Sequence, residues 1–437
     1  MVASVRPGHL SPVICENGKE PTTPPVRARP LSLPGLVAII YYSVAGGPFG
    51  TEDIVAAAGP LLALLGFVVM PLVWSAPEAL VAAELATAFP SNAGYVTWVT
   101  AAFGPFWGFQ EGFMSWLCGV SDNAIYPVLF CDYLKHVWPA SGEGTTKQVC
   151  VLTFILALSW LNYRGLNLVG LSAVFLAVFT ILPFLYIVPA GLPQVEVQNL
   201  LIVPEFGEIH WRKYMNVLFW NLNYWDSAST LAGEVHEPRV IFPQALLFSG
   251  VLILASYLLP LFVGVGLGGK GGGPDWRSWH SGSLALLGEK TGGFFVKSWV
   301  VAASGVSSVG QFACEQAANA YQLQGMAEWG WLPKCVGRRS SYGTPMVGFA
   351  IGLVWILLLA TQQEFLSIVS LLNGLYCQSQ LLEFAAFLRL RSHHRNLWRP
   401  FRVPLKSTWS CFFMLLGPII FAIMILLMPV FAGDWLQ

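Results

Sequence analysis

Apolar residues run in long blocks along this chain, and polar residues fall between the blocks or at isolated positions inside them. A helix of about 20 apolar residues crosses a hydrocarbon core of about 30 Å. Eleven blocks read as such spans, at roughly 34–58, 60–88, 104–134, 147–162, 167–190, 214–234, 241–267, 295–322, 345–361, 365–388 and 410–431. Two are interrupted. Gly46-Gly-Pro-Phe-Gly50 breaks the first, because three glycines and a proline in five residues do not continue a helix cheaply. Asn221-Leu-Asn-Tyr-Trp-Asp226 breaks the sixth. Broken helices that each open a set of five predict a transporter of inverted repeats, with spans 1–5 and 6–10 as its halves and the breaks meeting at the substrate site. Simple glycine and proline kinks in a helical bundle are the plainer alternative.

Composition supports the membrane reading. The chain has 437 residues, 55% hydrophobic and 11% charged, with mean hydropathy +0.61; soluble domains carry about 25% charged residues. The fold class is therefore all-α and polytopic. There is no basic tract for nucleic acid and no GxxxxGK[ST] loop. The eight cysteines are scattered with no CxxC pair, which predicts neither a disulfide framework nor a metal site, and no cofactor is expected. No nucleophile–base pair is visible, so an enzyme is not expected. Residues 1–32 are rich in Pro and Arg and predict a disordered tail rather than a signal peptide. The transport domain covers 33–431, as repeat one (about 34–190), repeat two (about 214–388) and an extra span (about 410–431), before a short tail at 432–437.

Lys and Arg concentrate on one side. Arg6, Lys19, Arg27 and Arg29 share it with Arg164, Arg239, Lys334, Arg338, Arg339 and the run Arg389–Lys406. The positive-inside rule makes that side, and the N-terminus, cytoplasmic; Lys270, Arg277 and Lys290 then lie outside.

Polar residues within spans fall in stripes. Glu111, Ser115, Cys118 and Asp122 line one face of the third span; Ser304, Ser308, Gln311, Glu315, Asn319 and Gln322 one face of the eighth; Asn373, Tyr376, Gln380 and Glu383 one face of the tenth. Interhelical hydrogen bonding accounts for the neutral members. The charged ones ask for more, because an ionised group in hydrocarbon persists only beside a cavity, partner or ligand. Glu383, near the basic segment, reads as a surface ion-pair partner. Glu52, Glu78, Glu84, Glu111, Asp122, Asp226 and Glu315 lie in or at the ends of spans, against one comparable base, Lys297. Carboxylates without fixed cations must be protonated or pair with a transported cation. Glu78 and Glu315 are the candidates for proton coupling.

The first break refines the substrate. Pro48 lacks an N–H and Phe49 is bulky, so the segment suits a carboxylate poorly. Glu52 and Asp53 would offset the positive end of the second half-helix, or simply cap it. Carbonyls near Ala45 and Asn221 would suit an ammonium. Tyr224 and Trp225 flank Asp226 with faces that attract cations. Gly46, Gly47, Phe49, Gly50, Glu52, Glu111, Asp122, Asn221, Tyr224, Trp225 and Asp226 form the expected substrate site.

These residues resemble the amino acid–polyamine–organocation superfamily, and within it the plant polyamine uptake transporters of the L-type amino-acid transporter group. The resemblance rests on AGGPFG (45–50), AAGPL (57–61), WSAPEALVAAELATAFP (74–90), FGPFW (103–107), LNYRG (161–165), FWNLNYWDSASTLAGEV (219–235) and QGMAEWGWLP (324–333). It implies a leucine-transporter-like 5+5 inverted repeat with helices 1 and 6 broken and two further helices. It also implies a plasma-membrane or endomembrane carrier of putrescine, spermidine or spermine with protons, and places Asp226 beside the substrate. Three departures stand out. Val99-Thr-Ala-Ala102 replaces a charged pair usual before FGPFW, the chain ends after span eleven, and Asn167–Pro189 lacks the lysine that couples protons in some relatives. Amino-acid import or exchange, and a transport-inactive paralogue acting as sensor or partner, are the other readings.

Overall fold

The computed structural model describes residues 31–432, apart from 92, 165–166, 236, 268–274, 329 and 363–364. Of the expected tails at 1–32 and 432–437, residues 1–30 and 433–437 lie outside the described residues, as does Lys270.

The described residues are mostly helical, and among them β-structure is limited to isolated bridges. The order is α1 (Leu33–Val44), α2 (Glu52–Met70), α3 (Ala76–Ala88), α4 (Gly94–Phe103), α5 (Pro105–Asp122), α6 (Ile125–Leu134), α7 (Gly144–Tyr163), α8 (Asn167–Gly191), α9 (Val197–Leu200), α10 (Trp211–Trp220), α11 (Pro238–Gly266), α12 (Ser283–Glu328), α13 (Met346–Gln362), α14 (Phe365–His393) and α15 (Thr408–Ala432). Six stretches among the described residues are long and apolar enough to cross a membrane. Leu72, Phe413 and Leu247 turn outward, 72%, 67% and 66% exposed, as side chains do where lipid is the solvent. The protein is a polytopic all-α integral membrane protein.

Both expected interruptions are present. Beyond α1 the backbone passes through Gly46 at φ 61°, Gly47 at 128° and Gly50 at 85°, and turns helical again at Glu52. Gly46 cannot be replaced without movement, since a Cβ there would stand 2.4 Å from the Gln311 side chain. The renewed helix is short. Gly59, at φ 77° before Pro60, separates residues 52–58 from a long helix that continues through a π-helical turn (Pro71–Ser75) into α3. At the second interruption α10 stops at Trp220 and a 3-10 turn follows at Ser227–Glu234, with Tyr224 left-handed at φ 68° between them.

Around the breaks, α1 packs on α8, α11 and α12, and α10 packs on α2 and α14. Helix α5 lies against α4, α12, α13 and α14. The third span is two helices, α5 and α6, joined at Asn123–Ala124.

The reading of Glu84 as an acid without a basic partner is corrected by the packing. Its fully buried carboxylate pairs with Arg391 and, at 3.0 Å, with Arg399, and accepts the Val403 N–H at 2.8 Å. Arg391 also donates to the Leu405 carbonyl at 2.8 Å. These bonds fasten α3 to the segment between α14 and α15.

Candidate functional site

The two breaks touch. Asn221 Nδ2 donates to the Gly50 carbonyl at 3.4 Å, and the Trp220 ring lies against Gly50. Beside this contact is a cavity of about 10 Å³ lined by Ser43, Val44 and Ala45 at the end of α1, by Trp220, Asn221 and Tyr224 of the second break, and by Asp122, Tyr126, Tyr257 and Gln311. That is room for about one water, far below the ~300–1,000 Å³ usual for a small-molecule pocket, so the site is closed tightly around its polar groups. One of those is a carboxylate, four are aromatic, and none is basic.

Asp122 is held from two sides. Trp220 Nε1 donates to its Oδ1 at 2.8 Å, and the Tyr126 hydroxyl stands 2.9 Å from its Oδ2 and 2.7 Å from Glu315 Oε1. Tyr126 therefore bridges two buried carboxyl groups. Tyr224 extends its hydroxyl to Cys118 Sγ at 3.0 Å.

A second group of acids lies on the other side of Tyr224. Glu78 Oε1 accepts the backbone N–H of Trp225 at 2.6 Å and of Asp226 at 3.3 Å. The Tyr376 hydroxyl stands 2.7 Å from the same oxygen and 2.5 Å from Asp226 Oδ1, and accepts the Tyr224 N–H at 2.9 Å. Glu111 accepts from Ser115 at 2.8 Å and from Ser379. Glu383 faces Asp226, Glu111 and Glu78. It is 1% exposed, which corrects its reading as a surface ion-pair partner: α14 turns this face into the bundle. Among the described residues, no ion pair reaches Glu78, Glu111, Asp122, Asp226, Glu315 or Glu383.

The expected site residues thus divide. Asp122, Asn221 and Tyr224 line the cavity, and Gly46 stands against Gln311 at its edge. Asp226, Glu78 and Glu111 belong to the second group, and Trp225 adds its backbone N–H to it, with its indole N–H on the Leu222 carbonyl at 2.9 Å. Gly47 and Phe49 pack aside; the Phe49 ring meets Tyr133 and Phe184. Glu52 caps the break, taking the Gly50 N–H at 2.9 Å, the Gly282 N–H at 3.1 Å and the Tyr133 hydroxyl. Asp53 pairs with Lys213 at 2.6 Å. Tyr126 and Trp220 were not anticipated. Tyr126 follows Asp122 by four residues, a spacing that brings side chains together on a helix.

Residues 31–434 match the family described as amino acid permease. The chain belongs to that family. This permease is also 46% identical to a probable polyamine transporter of Arabidopsis thaliana over 393 residues, which is 89% of this chain and 78% of that protein. It is 46% identical over 395 residues to a polyamine transporter of Oryza sativa subsp. japonica, covering 90% of this chain and 73% of the other. With a second Arabidopsis thaliana polyamine transporter it shares 44% over 390 residues, 88% and 79% of the two chains.

Proposed function

We propose that this permease takes up polyamines (putrescine, spermidine or spermine), driven by protons. The observation that carries the reading is the cavity between the breaks: one carboxylate, Asp122, within a ring of Trp220, Tyr126, Tyr224 and Tyr257, with no base among its lining residues. A primary ammonium satisfies such a site through a charge-assisted hydrogen bond and aromatic faces. The relatives named as polyamine transporters point the same way. Amino-acid substrates fit less well, because the Gly50 N–H that could hold a carboxylate is taken by Glu52 and Pro48 has none.

Protons enter through the buried acids. Six carboxyl groups without a described ion-pair partner cannot all stay ionised in a membrane interior. Glu78 and Glu315 remain the proposed coupling residues, each through a tyrosine hydroxyl shared with an aspartate, so that either carboxyl of a pair can carry its proton. The proposed location is the plasma membrane with a cytoplasmic N-terminus, which puts the Glu84–Arg391 end inside and an acidic exterior as the proton source.

The test is uptake of labelled spermidine and leucine, side by side, in proteoliposomes across external pH 5.5 to 8. Spermidine accumulation that falls with rising pH supports the proposal. Preference for leucine, or no accumulation of either, rejects it.

A further inference from the structure

Proton counting around Tyr376 separates two roles that the acids could otherwise share. A tyrosine hydroxyl has one proton to give and two lone pairs to receive. Tyr376 receives the Tyr224 N–H at 2.9 Å. That leaves one donated proton and one lone pair for two carboxyl oxygens, Glu78 Oε1 at 2.7 Å and Asp226 Oδ1 at 2.5 Å. One contact is the hydroxyl donating. The other is a hydrogen bond only if the carboxyl itself carries a proton. Glu78 Oε1 already accepts the Trp225 and Asp226 N–H groups, so it is an acceptor oxygen with no proton of its own to give Tyr376. The proton belongs on Asp226.

We infer that Glu78, Tyr376 and Asp226 form a proton-holding site separate from the substrate cavity, and that the backbone of the second break reads its load. The inference rests on the proton-coupled reading above. None of the three residues lines the cavity, whereas Asp122 of the parallel Asp122–Tyr126–Glu315 set does. An arriving ammonium can therefore replace a proton at the Asp122 set directly, and acts on the Asp226 set only through Tyr224, which lines the cavity and bonds Tyr376 with its backbone.

The step balances simply. The Asp226 Oδ1–H bond breaks, the proton passes to water on the side to which the site is open, and Asp226 is left a carboxylate. Two carboxylates then face each other across one hydroxyl and repel, as paired acids do. The groups facing them are also acidic or neutral: Glu111 on α5, Glu383 and Cys377 on α14, Tyr95 on α4. Nothing described there neutralises the new charge, so the set parts and the N–H groups of Tyr224 and Trp225 lose their acceptors. Reprotonation restores the bonds. Tyr376 is thus a positioning residue, tying proton load to the shape of the break.

The experiment uses purified full-length protein in proteoliposomes with the potential clamped. It compares spermidine accumulation driven by a proton gradient with spermidine–spermidine exchange at equal pH. Tyr376→Phe is expected to cut the ratio of the first to the second at least tenfold, and Asp226→Asn, whose amide cannot titrate, to remove the gradient dependence. Tyr126→Phe is expected to raise the KM for spermidine and leave the ratio near wild type. Infrared spectra of wild type should show a protonated carboxyl C=O band that Asp226→Asn removes; this readout holds even if Tyr376→Phe does not fold. A wild-type ratio in both variants, no such band, or a wild type indifferent to the gradient overturns the inference. A wild type that accumulates leucine rather than spermidine, with the same loss in Tyr376→Phe and Asp226→Asn, upholds the proton site and rejects the substrate assignment.

Discussion

Trp220 donates its indole N–H to Asp122 across 2.8 Å, so the last residue of α10 holds the carboxylate at the end of α5. The bond spans 98 positions of sequence and joins the second break to the third span. It fixes the one acid of the cavity in a defined orientation and leaves its charge facing aromatic rings.

Asp122→Asn is therefore expected to weaken spermidine. Loss of a charge-assisted hydrogen bond costs about 1.5–3 kcal/mol, roughly ten- to hundredfold in affinity. Trp220→Phe keeps an aromatic ring, though a smaller one, and removes the donor, so a smaller loss is expected. Competition binding in detergent checks both. Near-normal affinity in Asp122→Asn would remove this residue from the substrate site.

Glu111 and Asp122 stand on one helix, α5, eleven positions apart. At 1.5 Å per residue that is about 16 Å along the axis, which matches the reach of spermine and exceeds putrescine. Glu111→Gln should then raise the KM for spermidine and spermine more than for putrescine. Equal effects on all three substrates would show that Glu111 serves no second amine.

Glu84 tests stability rather than transport. Removing one member of a buried ion pair leaves the others uncompensated and costs about 3–5 kcal/mol. Glu84→Gln would strand Arg391 and Arg399, which are 2% and 6% exposed at the side chain. The expected result is a large drop in the thermal unfolding midpoint in detergent, larger than for Glu289→Gln, since Glu289 is itself 45% exposed where it pairs with Lys297. Similar midpoints for the two variants would contradict the account.

The breaks were legible because glycine, proline and polar residues interrupt an apolar pattern, and that is a local signal. Gly46–Gly50 and Asn221–Asp226 fall where the backbone leaves helical geometry. Partners were not legible. Arg391 lies 307 positions from Glu84, and Tyr376 lies 298 from Glu78; only packing of α14 against α3 and α5 brings such groups together. Glu383 was misjudged for the same reason: the basic run that follows it begins in the last turns of α14, where Arg391 turns inward to Glu84, while Glu383 itself points toward Asp226. The helical stripe of Asn373, Tyr376, Gln380 and Glu383 carried the information, and the neighbouring charges obscured it.

His136, in the turn after α6, offers a pH test outside the spans. Its ring stacks on His280 at 5.7 Å and lies against Gly282, whose N–H bonds Glu52 at the start of α2. Burial pushes its pKa down from 6.5 to about 4, and His280, Lys135 and Lys297 add to the shift. The folded protein therefore binds this proton less readily than the unfolded chain. By linkage, the stability tied to neutral His136 is fully present above about pH 6.5 and is lost as pH falls toward 4. His136→Gln keeps a polar side chain and cannot be charged, so its unfolding midpoint should decline less than wild type between pH 7 and 4.5. Thermal unfolding followed by intrinsic tryptophan fluorescence reads the difference. Because the contact reaches Glu52, the wild type should also lose substrate protection against unfolding sooner than His136→Gln as the medium is acidified. Parallel pH profiles for the two proteins would mean that His136 titrates as an ordinary surface histidine and that this corner of the fold does not sense acid.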